Sequence, residues 1–81
     1  MERQEVYKLI DGERDYQEAK WGPRFHTTVE WIVYMEDYLA EAKHMLSREA
    51  TETADPKAME IIRKVTAMGV CAMEQNDTNP R

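Results

Sequence analysis

Eighty-one residues with a formal net charge of −5 and a single cysteine define one small domain, which buries a limited share of its surface and gains from self-association. The acidic balance excludes a general nucleic-acid binder, and one cysteine excludes an intramolecular disulfide and fits a reducing compartment. The start M-E-R-Q-E has no apolar run behind it and no segment approaches a membrane span, so a cytoplasmic protein with no direct nucleic-acid or membrane partner is expected.

Residues 2–20 read as a first helix. Val6, Leu9 and Ile10 make an apolar patch that Tyr16 and Ala19 continue, and Gly12 interrupts the pattern as a stop or a kink. Few large hydrophobes and alternating charges point to an accessory element lying across two others. Trp21-Gly22-Pro23-Arg24-Phe25-His26 then forms a loop, because Gly-Pro opposes helix continuation. Its aromatic residues Trp21 and Phe25 are expected to pin it to the body. Lys20, Arg24 and His26 bring positive charge to the same place, and Trp21 beside these cations would suit a stacked base and a phosphate.

Thr27-Thr28-Val29-Glu30 is a capping box and opens a second helix over 28–47. Ile32, Met35, Leu39, Ala42 and Leu46 form its apolar stripe, with Trp31, Tyr38 and Met45 beside it. Glu30, Tyr34, Asp37, Glu41, His44 and Arg48 align on the opposite face, either as a solvated surface or as a ligand site. Residues 47–55 are polar and read as a connection. Asp55-Pro56 is then the expected start of a third helix over 56–75, with aspartate at the N-cap and proline at the first position.

That helix contains Val65 to Met73, a stretch with no charge, and it carries two stripes. Ala58, Ile61, Ile62, Val65, Met68 and Ala72 form one; Met59, Thr66, Val70 and Met73 form the other. Two stripes require two partners: the second helix for the first stripe, and the N-terminal helix or a neighbouring subunit for the second. Ala67, Gly69 and Ala72 are small enough to admit a close helix. Residues 76–81 read as a flexible tail. The fold class is thus all-α, a single domain over 1–81: an antiparallel hairpin of two long helices plus an N-terminal helix, completed by homo-oligomerisation through the third helix.

The runs E-R-D-Y-Q-E-A-K-W-G (13–22), His26, E-W-I-V-Y-M-E-D-Y-L-A-E-A-K (30–43) and I-R-K-V-T-A-M-G-V-C-A-M-E-Q (62–75) resemble small phage and prophage proteins of the MazG-like, all-α NTP pyrophosphatase group. The resemblance implies hydrolysis of nucleoside triphosphates by Mg²⁺ on acids arranged as E-E-x-x-E on one helix and E-x-x-D on the next. Hard oxygen ligands are what Mg²⁺ requires. Here Asp37 and Glu41 match two of the first motif's acids, with Tyr38 in place of the second glutamate. Glu60 opens the second motif, but Arg63 and Lys64 stand where the aspartate belongs.

Exchange of metal-binding acid for cation favours holding a phosphate over cleaving it. Three functions follow for test. The first is a non-catalytic relative that binds a nucleotide or a host protein through Lys20, Trp21, Arg24, His26, Arg63 and Lys64. The second is a Mg²⁺-dependent pyrophosphohydrolase using Asp37, Glu41 and Glu60. The third is an acidic protein-binding adaptor without a small ligand. No residue is assigned as catalytic.

Overall fold

The computed structural model describes residues 1–81 as three helices, α1 (Arg3–Trp21), α2 (Thr28–Arg48) and α3 (Thr51–Asn76), with no strand. The all-α expectation is met. α1 runs unbroken through Gly12, because that residue is exposed and its only cost is propensity. It ends where Gly22 takes φ 72°, a conformation glycine adopts without strain, while its N–H donates to the Glu18 carbonyl at 2.8 Å. α2 begins at the anticipated box: the Glu30 N–H donates to Thr27 Oγ1 at 3.2 Å, and the Thr27 N–H donates to Glu30 Oε1 at 2.8 Å. These bonds favour the charged carboxylate, so Glu30 titrates below its ordinary value, chiefly through the Thr27 backbone N–H.

The third helix starts earlier than expected. Asp55 is not a cap and Pro56 lies inside the helix. The N–H groups of Thr53 and Ala54 close a turn on the Ala50 carbonyl at 3.0 and 2.9 Å. Pro56 has no N–H to give the Glu52 carbonyl, so the added turn forms with one intrahelical bond missing. Buried Ala54 holds the added turn in place, so the connection to α2 shrinks to Glu49 and Ala50.

α2 and α3 form an antiparallel hairpin. Trp31, Met68 and Cys71 make one buried cluster, flanked by Trp21, Met35, Tyr38 and Ala72. Ala42, Ala58 and Ile61 make a second, flanked by Tyr38, Met45 and Val65. Tyr38 touches both and joins them. Hence α2 faces its partner with Trp31, Met35, Tyr38, Ala42 and Met45, spaced four and three apart as α3 spaces Ala54, Ala58, Ile61, Val65, Met68 and Ala72. The expected α2 stripe is thereby rotated one position: Ile32, Leu39 and Leu46 are exposed and only Met35 and Ala42 of it turn inward. A tryptophan and a tyrosine supply more area to bury than the aliphatic residues beside them, and the tryptophan also finds a hydrogen-bond acceptor.

The α1 backbone lies against α3; no Cα of α1 comes within 8 Å of one in α2. The accessory helix therefore does not lie across both others as anticipated. Its seat is polar. Glu13 and Gln17 are buried, and Gln17 Nε2 donates to Glu13 Oε2 at 3.2 Å and to the Lys64 carbonyl at 3.0 Å. Arg63 Nε donates to Glu13 Oε1 at 2.9 Å, and Arg14 Nε to Glu74 Oε2 at 2.7 Å. Glu13 and Arg14 are neighbours on α1, whereas Arg63 and Glu74 stand about 16 Å apart along α3; α1 must cross α3 steeply. Its C-terminal end reaches the Trp31 cluster through Trp21.

Candidate functional site: an aromatic cleft beside the first loop

The steep crossing leaves two clefts over α3, between α1 and α2. The larger, of about 580 Å³, is walled by Arg14, Gln17, Glu18 and Trp21 from α1, by the loop Gly22–His26, by Trp31, Tyr34 and Tyr38 from α2, and by Met68, Cys71, Glu74 and Gln75 from α3. The smaller, about 490 Å³, is lined by Glu13, Tyr16, Lys20, Trp21, Glu41, Met45, Lys57, Glu60, Ile61, Arg63 and Lys64. Trp21 belongs to both and divides them.

One amide builds the loop side of the larger cleft. Gln75 Oε1 accepts from the His26 N–H at 3.1 Å and from Trp31 Nε1 at 2.9 Å. Gln75 Nε2 donates to the Arg24 carbonyl at 2.7 Å and to Cys71 Sγ at 3.5 Å. Asn76 Nδ2 adds a bond to the His26 carbonyl at 3.2 Å. The loop is therefore held by α3 and by Trp21, half-buried against the Trp31 cluster, whereas Phe25, also expected to pin it, is 80% exposed at the rim. Thus fixed, the His26 ring stands edge-on to Trp31 with centroids 5.0 Å apart and near Tyr34 at 4.9 Å. The result is an aromatic wall of His26, Trp31 and Tyr34 with Trp21 and Tyr38 beyond.

Charge in this cleft is largely self-neutralised. Arg14 serves Glu74, and its Nη1 lies 3.8 Å from Glu18. The Glu74 hydrogen bond is the main cause that holds its guanidinium above the ordinary value. Arg24 makes no ion pair and is exposed. Burial pushes the Cys71 thiol up, opposed by Arg14, which disfavours the thiolate.

The sequence-derived ligand set is divided between the clefts. Trp21, Arg24 and His26 line the larger; Lys20, Arg63 and Lys64 line the smaller, with Trp21 shared. Lys64 Nζ lies 4.6 Å from the Tyr38 ring centroid and Lys20 Nζ 5.7 Å from that of Tyr16, while Arg63 neutralises Glu13. These cations are engaged within the fold. Of the metal candidates, Glu41 and Glu60 line the smaller cleft among Lys57, Arg63 and Lys64, and Asp37 lines neither. No three side chains of the His, Cys, Asp and Glu types gather as a metal cage. The fit to Mg²⁺ is poor because Lys57, Arg63 and Lys64 share the cleft with Glu41 and Glu60 and repel a divalent cation there.

Sequence reading missed Arg14, Gln17, Tyr38, Glu74 and Gln75 as parts of the cleft; of the aligned polar face of α2 it offered as a ligand site, only Tyr34 lines the larger cleft. Gln75 carries a usable signal, being the next position after Met68 and Ala72 on the α3 seam. Arg14 and Glu74 pair across sixty residues of chain and leave no local trace. No known protein family, curated protein or solved structure matches the chain.

Proposed function

We propose that this protein is a small helical binding protein of MazG-like character that holds a nucleotide in the larger cleft without hydrolysing it. The observation that carries the reading is the aromatic wall of His26, Trp31 and Tyr34, with Trp21 lining the same space of about 580 Å³ and Arg24 free of ion pairs beside it. That volume is within the usual range for a small-molecule site. A planar base gains by stacking on such rings, and an unpaired guanidinium offers a phosphate a bidentate partner. The poor fit to Mg²⁺ supports retention over turnover.

The test is thermal stabilisation by a panel of nucleotides and cyclic dinucleotides, with and without Mg²⁺. A ligand at one hundred times its Kd adds about 2.7 kcal/mol to stability. Arg24→Ala is expected to weaken phosphate-bearing ligands far more than the free nucleoside, and Tyr34→Ala to weaken both. Pyrophosphate release from a triphosphate, lost in Glu41→Ala, would replace this reading with the enzyme. Absence of any ligand-induced shift would leave the cleft as a feature of packing and favour the adaptor.

A further inference from the structure

The carboxylates and guanidinium groups around the larger cleft limit how much phosphate it can hold. Arg14, Glu18, Arg24 and Glu74 line it, two of each sign, but they are not equally available. Arg14 donates from Nε to Glu74 Oε2 at 2.7 Å and from Nη2 to Glu74 Oε1 at 3.3 Å, a two-pronged pair that leaves its fork occupied. Its Nη1 lies 3.8 Å from Glu18. Two carboxylates therefore share one cation, and these three groups together carry a net charge of −1. Arg24 alone has no acidic partner.

Backbone bonds tie these charges to the same corner of the fold. The Gly22 N–H donates to the Glu18 carbonyl at 2.8 Å where α1 ends, and Gln75, next to Glu74 on α3, donates to the Arg24 carbonyl at 2.7 Å. A carboxylate accepts hydrogen bonds and has none to give, so neither Glu18 nor Glu74 can serve a phosphate oxygen. One guanidinium matches one phosphate group. Each further phosphate adds negative charge that no unpaired cation of the cleft meets, in a space lined by Glu18 and Glu74 and on a chain of net charge −5.

We propose that the larger cleft takes a nucleoside bearing a single phosphate group, as monoester or cyclic diester, with the base against the rings and the phosphate on Arg24, and that Glu18 and Glu74 turn polyphosphates away. The inference rests on the nucleotide reading of this cleft and names, within it, the class of ligand. Selectivity here comes from repulsion of the longer ligand as much as from attraction of the shorter one.

Isothermal titration calorimetry on the full chain tests it, with EDTA present so that no divalent ion masks phosphate charge. The probes are the 5′-monophosphates, 3′,5′-cyclic monophosphates and 5′-triphosphates of the four ribonucleosides. At low salt the better single-phosphate form is expected to bind at least about fivefold tighter than the triphosphate of the same base. Added salt should narrow that gap, because it screens the repulsion. Glu18→Gln, at a side chain 57% exposed, should narrow it by at least about twofold, and Glu18→Lys should close it; circular dichroism checks that both variants keep their helices. The tighter of the two single-phosphate forms assigns monoester or diester. A wild-type triphosphate that binds as tightly as the monophosphates, or a preference unmoved by both Glu18 variants, overturns this inference and leaves the nucleotide reading standing. Binding of none of the probes overturns both.

Discussion

The two seams that meet on α3 are built from opposite materials. α2 lies on it through Trp31, Met35, Tyr38, Ala42 and Met45 against an apolar ladder; α1 is seated by Glu13 and Gln17, with Arg14, Arg63 and Glu74 as outlying clamps. The first seam gains from area removed from water. The second gains from pairing groups whose desolvation is costly when a partner is missing. An apolar seam thus supplies cohesion, and a polar seam fixes where α1 crosses. The aromatic cleft exists because that crossing is steep.

The contrast breaks most sharply at Trp31. Trp31→Ala removes a buried ring and leaves the Gln75 carbonyl one donor short, at a cost of about 3–5 kcal/mol, comparable with the total of about 4–12 kcal/mol for a domain of this length. Urea unfolding followed by circular dichroism should show loss of the cooperative transition or a strongly lowered midpoint. Glu13→Ala should cost less, about 1–3 kcal/mol, and act locally. Hydrogen exchange should quicken in 3–21 while the α2–α3 hairpin stays protected. Replacing Glu13 and Gln17 together by leucine sharpens the point, because an apolar pair of similar size should restore the lost stability, though with a less strictly defined crossing.

Gly12→Ala should raise stability by up to about 1 kcal/mol, since a methyl group there meets nothing within 4 Å. A loss instead would place an unseen neighbour against that face of α1. The smallest effect belongs to Glu30, whose carboxylate titrates below its ordinary value. A depressed carboxylate stabilises above its unfolded pKa and loses that contribution as pH falls through the folded one. The wild-type melting temperature should therefore fall slightly relative to Glu30→Gln between neutral pH and the acid range below the ordinary carboxylate pKa, and Glu30→Gln should remove that part of the slope.

What the sequence disclosed depended on how local the cause was. The Thr27–Glu30 box is satisfied within four residues and is exact in the fold. The α3 seam through Ala58, Ile61, Val65, Met68 and Ala72 follows from spacing, but Ile62, counted with it, is exposed because it lies a full step round the helix from Ile61. The α2 stripe slipped by one position because Ile32, Leu39 and Leu46 run beside Trp31, Tyr38 and Met45, and only the presence of α3 decides between adjacent apolar rows. Pro56 misled because its local preference for a helix start yields to the burial of Ala54. The α1 seat was hidden for a different reason: Glu13 and Gln17 look like surface residues, and become interior only because Arg63 and the Lys64 carbonyl wait at the far end of the chain.

The Gln75 amide carries an implication for the order in which the molecule is made. It joins Arg24, His26 and Trp31 across forty-four to fifty-one residues, so these are among the most sequence-distant bonds in the fold. Contacts of such separation pay their loop-closure entropy before any return. A chain emerging from synthesis can coil α1 and α2 early, but the loop beside the cleft has no anchor until the last turn of α3 arrives. The aromatic wall therefore takes its shape only once Gln75 is in place, and Gln75→Ala would keep three helices while loosening the loop beside the cleft.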